Sequence, residues 1–316
     1  MTGAALVGVD VGGGGIRGVA ELGERSAHVL DDTPLPRARG GIDVPRLVPR
    51  LNALLRGAGD RLGAHRFARV AIGLTGLPDL IGHPDELVRL LRNGSRIGSV
   101  LVAADALTTH VGALGGRPGV VVAAGTGSVA LGTDFRQLWQ RGDGWGYLLG
   151  DDGSGAWVGQ RGLRCALRSR DGRPGGSPEL LTRLEGRFGD VAELESRIYT
   201  GTVPPAALLA SFAPDVAAAA RAGDQAALRI WDEAGTHLGE TAVAASPPGL
   251  ARRFSWGGRL FDVGALLQDP FRAEVLRQVP DADFTAPLGS SAAGALTLAR
   301  AGADTVPRQP YLYLYD

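Results

Sequence analysis

The chain has 316 residues, with 33 basic and 33 acidic side chains and a formal net charge of zero, and every basic residue is arginine. Without lysine it cannot contain a P-loop, which uses a lysine to hold nucleotide phosphates, nor form a lysine Schiff base. The single cysteine excludes an intramolecular disulfide and a multi-cysteine metal site, and the balanced charge argues against nucleic acid or an anionic membrane surface as partner.

The first part of the chain alternates short apolar runs with longer stretches whose apolar residues recur at helical spacing. This pattern predicts the element order β-β-β-α-β-α-β-α. The predicted strands lie at residues 6–11, 16–22, 28–30, 70–74 and 100–104, and the predicted helices lie at 43–61, 84–91 and 105–114.

The opening pattern recurs after the glycine-rich segment 115–119, which we predict to be a linker. Strands at 119–124 and 129–133 again flank a turn of small residues, which indicates a weak internal duplication. We therefore predict an N-terminal domain at 1–115 and a C-terminal domain at 116–316, the latter with a helical insertion and a terminal helix. The later predicted helices are 156–168, 179–188, 191–200, 205–212, 214–222, 224–245, 266–279 and 291–301, with one strand at 253–256. The tail at 311–316 fits either a final strand or a docking arm.

The first glycine turn follows a buried strand and contains GGGIRG, which satisfies the G-x-G-x-x-G pattern of dinucleotide sites. Such a site requires a helix after the turn, whereas residues 16–22 predict a strand, so we disfavour a dinucleotide. Bare backbone at Gly12, Gly13 and Gly14 can approach a phosphate closely. Asp10, at the end of the preceding strand, can hold Mg²⁺, or it can serve only to stabilise the turn.

Two further turns of small residues follow apolar strands. The first is a candidate phosphate clamp with two hydroxyls, or a plain hairpin turn, and consists of Gly125, Thr126, Gly127 and Ser128. The second, Gly257 and Gly258, can let a ribose or a flat ring lie against the backbone. Its alternative interpretation is a strand junction that requires a positive φ.

Asp105 follows the apolar strand predicted at 100–104 and precedes a predicted helix. A carboxylate held at the end of a rigid strand is suited to accept the proton of an attacking hydroxyl group. Aspartate is also a preferred residue for capping a helix, and the two roles are compatible.

The segment 141–155, RGDGWGYLLGDDGSG, combines glycines, aromatic residues and acids. Carboxylates beside aromatic rings are typical of sites for polyols and sugars, because the carboxylates accept hydrogen bonds from several hydroxyls. We name Asp143, Gly144, Trp145 and Asp151 as candidate substrate-binding residues. The alternative is an acidic loop without a ligand; the spacing does not match a calcium-binding loop.

Together these motifs resemble the sugar kinase/actin/Hsp70 superfamily, and within it the N-acetylglucosamine kinase branch of the BadF/BadG/BcrA/BcrD-type ATPases. The resemblance covers nearly the whole chain. It rests on the motifs at residues 10–14, 124–128, 144–146, 150–155 and 257–258, and on Pro287 with Gly294-Ala295-Leu296.

The resemblance implies an α/β protein with two ribonuclease-H-like (actin-like ATPase) domains around a central cleft. It implies ATP and Mg²⁺ as cofactors, a small-molecule amino sugar as partner, and a homodimer as a further expectation. Asp10 would organise Mg²⁺, and Asp105 would be the base on the 6-hydroxyl of the sugar. Thr126 and Ser128 would hold phosphate, and Asp151 would bind sugar hydroxyls.

Several positions depart from the family pattern. Ile16 stands where a threonine is usual, Asp143 replaces a glycine and Asp152 replaces a glutamate. No clear match exists for the asparagine that contacts the acetylated sugar, whose region is occupied by Gly40 and Gly41. An additional acid and a missing asparagine suit a protonated amine, which favours glucosamine over N-acetylglucosamine.

The main alternative function is that of a BadF-type ATPase acting as an activator or a sugar-sensing regulator. An activator that shares an iron–sulfur cluster needs more cysteines than Cys165, and a regulator would add a zinc-binding cluster or a basic DNA-binding module. An actin-like polymer is disfavoured by the sugar motif. Because no signal-peptide pattern or run of roughly 20 apolar residues is present, we expect a cytoplasmic protein.

Overall fold

The computed structural model describes residues 3–38, 41–77, 84–201, 203–302 and 310–316, and the chain divides into two compact units. The first unit comprises Met1–Arg117 with Thr285–Asp316, and the second comprises Pro118–Phe284. No helix in the described ranges is both long and apolar enough to cross a bilayer.

In chain order the strands are β1 (Ala5–Gly12), β2 (Gly15–Leu22), β3 (Arg25–Asp31), β4 (Arg37–Ala38), β5 (Gly41–Ile42), β6 (Phe67–Leu74), β7 (Ile97–Ala104), β8 (Gly119–Ala124), β9 (Ser128–Thr133), β10 (Trp139–Asp143), β11 (Arg253–Gly257), β12 (Asp283–Phe284) and β13 (Leu312–Tyr315). The helices are α1 (Val44–Leu62), α2 (Asp85–Gly94), α3 (Asp105–Leu114), α4 (Gly155–Arg170), α5 (Pro178–Phe188), α6 (Val191–Thr200), α7 (Pro205–Ala210), α8 (Ala213–Arg221), α9 (Gln225–Ala244), α10 (Ala265–Gln278) and α11 (Ser291–Ala301). A short 3₁₀ helix lies at Arg259–Val263.

Each unit contains a mixed sheet with the same core topology, which confirms the predicted α/β class. The first sheet has the order β13-β7-β6-β1-β2-β3, and the second has the order β10-β9-β8-β11-β12. In each, three antiparallel strands from consecutive chain segments are followed by two parallel strands. The small-residue hairpin that recurs in the sequence therefore marks the same pair of central strands in both units.

The domain composition differs from the sequence-based division at 115/116. The break lies between Arg117 and Pro118, and the segment from Thr285 onward belongs to the first unit. The physical reason is the packing of α11, whose buried apolar residues lie against α3, β1 and β6. An amphipathic pattern predicts that a helix buries one face but does not identify the sheet that it covers.

The C-terminal tail is a strand rather than a docking arm. β13 pairs antiparallel with β7, with Leu312 opposite Ala103 and Tyr315 opposite Val100. It covers the edge that β7 would otherwise expose, and Leu312 is buried.

The second unit holds a large helical core. The predicted helices between residues 156 and 245 are present as α4 to α9, and their apolar faces surround Trp231, Phe212 and Leu238. Side-chain caps fix several helix starts, including Ser154 on the N–H of Trp157 at the start of α4. The start of α4 matters for the site, because it follows the acidic segment directly.

In the first unit, α11 packs closely against α3. Gly294 of α11 faces α3 so closely that a Cβ at this position would overlap the carbonyl oxygen of Thr108 and the backbone nitrogen of Gly112. Both clashing atoms belong to a helix backbone, which cannot move aside as a flexible side chain can. Only glycine permits this approach.

We therefore expect Gly294→Ala to destabilise the first unit by about 1–3 kcal/mol or more, as overpacking does in a filled core. The matched control is Gly186→Ala, which also places a methyl group in a helix but meets nothing within 4 Å. The control should be neutral or stabilising by up to about 1 kcal/mol. Urea unfolding of both variants tests this, and equal midpoints for the two would contradict it.

Candidate functional site

Asp10 lies on β1 beside the first glycine turn. β1 extends to Gly12, which pairs with Gly15 of β2, so the connection is a two-residue turn at Gly13 and Gly14. A strand follows this turn, as predicted, and the geometry of a dinucleotide site is absent here. The Oδ2 atom of Asp10 lies 4.0 Å from the place that a Cβ at Gly12 would occupy, so one carboxylate oxygen lies beside the last residue of β1 before the turn.

The surroundings of Asp10 fit a cation. Burial raises the pKa of Asp10 above its usual value, while a hydrogen bond from Ser291 and the charge of Arg17 act in the opposite direction. Mg²⁺ binds carboxylate oxygen, and a cation beside the buried carboxylate would offset the cost of its desolvation.

Asp105 begins α3 directly after β7. It does not cap the helix: Ala104 is the N-cap, and the Oδ1 atom of Asp105 accepts the N–H of Ala106 at 2.8 Å. β1, β6 and β7 are parallel, so Asp10 and Asp105 lie toward the same edge of the sheet. Burial raises the pKa of Asp105 to about 6, and the negative charge of Asp10 adds to the rise.

The second glycine turn is attached to the start of α4. The N–H of Gly155 donates to the carbonyl oxygen of Gly125 at 2.8 Å, and that of Ala156 donates to the carbonyl oxygen of Thr126 at 3.0 Å. Ser128 is buried, and its hydroxyl donates to the carbonyl oxygen of Asp152 at 3.2 Å. This hydrogen bond connects the side chain of Ser128 to the acidic loop and so stabilises the turn, whereas Thr126 is half-buried and lies in the turn itself.

Asp143 ends β10 and organises the loop that follows. Its Oδ1 atom accepts the N–H of Asp151 at 2.9 Å and that of Trp145 at 3.4 Å, and its Oδ2 atom accepts the N–H of Asp152 at 3.1 Å. Asp143 adopts a left-handed φ of 56°, which is uncommon outside glycine but better tolerated by aspartate than by most residues. The carboxylate therefore closes the loop at 143–152 on itself.

Asp151 connects this loop to the second glycine turn. Its Oδ1 atom accepts the N–H of Gly146 at 3.3 Å. A Cβ at Gly127 would lie 2.5 Å from its Oδ2 atom, so the turn approaches this carboxylate through a glycine. Burial raises the pKa of Asp151 to about 6, and the charge of Asp143 adds to the rise.

Trp145 lies at the surface of the loop and is 67% exposed. Arg141 stacks over its ring, with the guanidinium carbon 4.6 Å from the ring centroid. Arg141 also donates to the carbonyl oxygens of Asp143 and Gly144, at 2.8 and 2.9 Å. The substrate-binding candidates are thus joined in one loop.

The third turn, at Gly257 and Gly258, contains the positive φ that a strand junction requires. Gly258 has a φ of 89°, and a Cβ there would overlap the backbone of Ala124. The ends of β8 and β11 therefore meet at this glycine, which places Gly257 and Gly258 close to the start of the second turn. A role in contacting a nucleoside is compatible with this geometry and stays a prediction.

Two of the departures from the family pattern are the residue at position 16 and the region of the missing asparagine. Ile16 is fully buried in β2, so it serves the core rather than the turn. Gly40, in the region of the missing asparagine, lies outside the described residues.

Sequence reasoning missed Ser291 and Thr108. The Oγ atom of Ser291 lies 2.9 Å from Oδ1 of Asp10 and 2.8 Å from Oγ1 of Thr108. The sequence predicts that a helix begins at Ser291, but no local sequence pattern indicates that this serine contacts Asp10, 281 residues earlier.

Comparisons with known proteins show which family and which relatives this chain resembles. The model of the BadF/BadG/BcrA/BcrD ATPase family matches residues 7–253, which include the first two glycine turns and the acidic loop but not Gly257 and Gly258. An N-acetylmuramic acid/N-acetylglucosamine kinase from Clostridium acetobutylicum is 29% identical over 226 residues, covering 68% of this chain and 72% of the relative. An N-acetyl-D-glucosamine kinase from Dictyostelium discoideum is 45% identical over 53 residues, 17% of each chain.

Solved structures share the fold. A candidate N-acetylglucosamine kinase from Chromobacterium violaceum is 29% identical, with a TM-score of 0.69 and coverage of 95% of this chain and 100% of the other. A ROK family glucokinase from Streptomyces griseus, solved with glucose and AMPPNP, is 19% identical with a TM-score of 0.62 over 95% of this chain and 100% of the other. These similarities establish the actin-like ATPase fold.

We expect Asp143→Asn to loosen the loop, because the amide nitrogen would face the N–H of Asp152 where a carboxylate oxygen now accepts it. Hydrogen bonds to a charged group contribute about 1.5–3 kcal/mol, so amide exchange in residues 144–153 should accelerate about tenfold or more. Hydrogen–deuterium exchange measures this directly.

Asp134→Asn is the control, since Asp134 also accepts three backbone N–H groups, from Arg136, Gln137 and Leu138. It should accelerate exchange in its own turn only. Unchanged exchange at 144–153 in Asp143→Asn would show that Asp143 does not hold the loop.

Proposed function

The chain belongs to the BadF/BadG/BcrA/BcrD ATPase family, and from this premise we propose that it is an ATP-dependent amino-sugar kinase. The observation that carries the proposal is the placement of Asp10 and Asp105 toward one edge of the first sheet, with Asp10 beside a bare glycine turn. Phosphoryl transfer requires mainly positioning of the reactants and neutralisation of charge. In this proposal Asp105 acts on the attacking hydroxyl, and Asp10 would hold the cation that neutralises charge.

The proposed reaction moves the γ-phosphate of ATP to the 6-hydroxyl of N-acetylglucosamine or glucosamine. Asp105 accepts the proton of the attacking hydroxyl, because it is held at the start of α3 with a pKa of about 6 and is ionised at neutral pH. Asp10 would hold Mg²⁺, which supplies charge neutralisation for the transferred phosphoryl group.

The glycine turns supply the phosphate contacts in this proposal. Bare backbone at Gly12, Gly13 and Gly14 and at Gly125 and Gly127 offers N–H groups without obstruction from a Cβ. Thr126 adds a hydroxyl, while the hydroxyl of Ser128 is engaged by the carbonyl oxygen of Asp152. Gly257 and Gly258 are proposed to contact the nucleoside.

The acidic loop is proposed to bind the sugar, with Asp151 accepting hydroxyl hydrogen bonds and Trp145 and Gly144 beside it. The three backbone donors on Asp143 argue against its use as a ligand for a protonated amine. The preference for glucosamine thereby loses one of its two supports. The names of the relatives, which include two N-acetylglucosamine kinases, support the acetylated sugar.

We expect N-acetylglucosamine to be phosphorylated at least as efficiently as glucosamine, and both better than glucose. An ADP-release assay across hexoses, hexosamines and N-acetylhexosamines, with product analysis by NMR to locate the phosphate, tests this. A strong preference for glucosamine would restore Asp143 as a substrate ligand. ATP hydrolysis without transfer to any sugar would favour the activator or regulator class instead.

Asp105→Asn should lower kcat by about 100-fold or more, the range for losing a general base, while nucleotide binding changes little. In the unmodified protein kcat/KM should fall as the pH drops through about 6, since the protonated carboxyl cannot accept a proton. The residual activity of the variant should lack this acid limb.

Asp60→Asn, a substitution of an exposed acid on α1, is the control and should retain the full rate and pH profile. Near-normal turnover in Asp105→Asn would remove Asp105 as the base.

A further inference from the structure

Three side chains from distant parts of the chain form a continuous polar path that ends at Asp10, on the strand before the first glycine turn. The Oγ1 atom of Thr108, on α3, lies 2.8 Å from Oγ of Ser291, which in turn lies 2.9 Å from Oδ1 of Asp10. Thr108 is fully buried. The path therefore connects the candidate metal-holding acid to the helix that begins with Asp105.

The direction of the hydrogen bonds follows from the charge on Asp10. An ionised carboxylate only accepts, so Ser291 donates its single hydroxyl hydrogen to Asp10. The oxygen of Ser291 then accepts from Thr108, whose hydrogen is shared with the carbonyl oxygen of Asp105 at 3.0 Å. The hydroxyl of Ser291 is thus oriented by Asp10 and Thr108, and the hydroxyl of Thr108 is oriented by Ser291 and the carbonyl oxygen of Asp105.

The backbone leaves room for this path at two glycines. A Cβ at Gly73, on the strand between β1 and β7, would overlap Oγ1 of Thr108. Gly294 allows α11 to approach α3 and brings Ser291, the first residue of α11, above Asp10. The neighbouring Ser290 points elsewhere, since its hydroxyl caps α11 on the N–H of Ala293 at 3.3 Å.

We propose that Ser291 is a positioning residue for Asp10, with Thr108 holding Ser291 in orientation. The inference rests on the proposed role of Asp10 toward Mg²⁺. The hydrogen bond occupies Oδ1 and restrains the rotamer of Asp10, which leaves Oδ2 beside Gly12, the last residue before the glycine turn. Groups that orient a metal-holding residue typically change metal affinity 10- to 100-fold when they are lost.

Ser291→Ala tests the proposal against Ser290→Ala, which removes a hydroxyl one residue away. Calorimetric titration with AMPPNP, at a series of Mg²⁺ concentrations and in EDTA, separates magnesium-dependent from magnesium-independent binding. We expect Ser291→Ala to raise the Mg²⁺ concentration at half-maximal enhancement about tenfold and to leave binding in EDTA unchanged. Ser290→Ala should leave both unchanged, although it lowers the urea midpoint.

Thr108→Val serves as a second, nearly isosteric variant should Ser291→Ala fold poorly. It should shift the magnesium dependence in the same direction by a smaller factor, about threefold, because Ser291 remains but loses its partner. A purely structural role for the path would lower the urea midpoint in both variants without moving the magnesium dependence, and that result would overturn the proposal.

Asp10→Asn separates this inference from the proposed function. If Asp10→Asn abolishes the magnesium dependence, adding Ser291→Ala to it should cause no further loss, because the group being positioned is already gone. If Asp10→Asn has its effect and Ser291→Ala has none, only the positioning role fails. If Asp10→Asn leaves the dependence intact, the metal assignment fails and the role of Ser291 falls with it.

Discussion

The backbone-to-backbone approach of α11 and α3 is the constraint on which the first unit depends. Gly294 faces the carbonyl oxygen of Thr108 without an intervening side chain, and this contact ties the last described helix to α3. α11 also lies directly on β1, where a Cβ at Gly8 would overlap the backbone of Ala292 and Leu296, and the two approaches together bring Ser291 within hydrogen-bonding distance of Asp10. The position of α11 therefore serves both the packing of the first unit and the hydrogen bond from Ser291 to Asp10.

Each unit keeps two acids close to one another, and the protein stabilises them in different ways. In the first unit, burial raises the pKa of both Asp10 and Asp105, and the charge of Asp10 adds to the rise at Asp105. The hydroxyl of Ser291 and the charge of Arg17 lower the pKa of Asp10, and a hydroxyl and the backbone at the start of α3 lower that of Asp105. In the second unit, Asp143 is satisfied by three backbone N–H groups, while the neighbouring Asp151 keeps a raised pKa. In the second unit, Asp143 is therefore the better candidate for a structural residue, and Asp151 is the better candidate for contact with a ligand.

The two sheets repeat one topology, but their glycine turns are supported differently. The first is a two-residue connection between paired glycines. The second is held by the N–H groups that begin α4, and by the hydroxyl of Ser128. Because α4 begins directly after the acidic loop, the second turn and that loop are built as a single structure. The recurrence visible in the sequence thus identified equivalent strands without indicating how each turn is held.

The sequence by itself determined the α-helices of the described residues, most of the strands and the positions of the glycine turns, because apolar periodicity, glycine runs and acids at strand ends are local signals. It did not predict β10, the strand that ends at Asp143, nor the two-residue strands β4, β5 and β12. It also determined the family, since the motifs at residues 10–14, 124–128 and 144–155 are contiguous. Only the tertiary structure decided which sheet α11 covers, that the tail completes the first sheet, and that Ser291 meets Asp10. It also decided that the side chains of Asp143 and Ser128 form hydrogen bonds with the backbone of the acidic loop. These outcomes depend on contacts between residues far apart in the chain, and a local pattern carries no information about its distant partner.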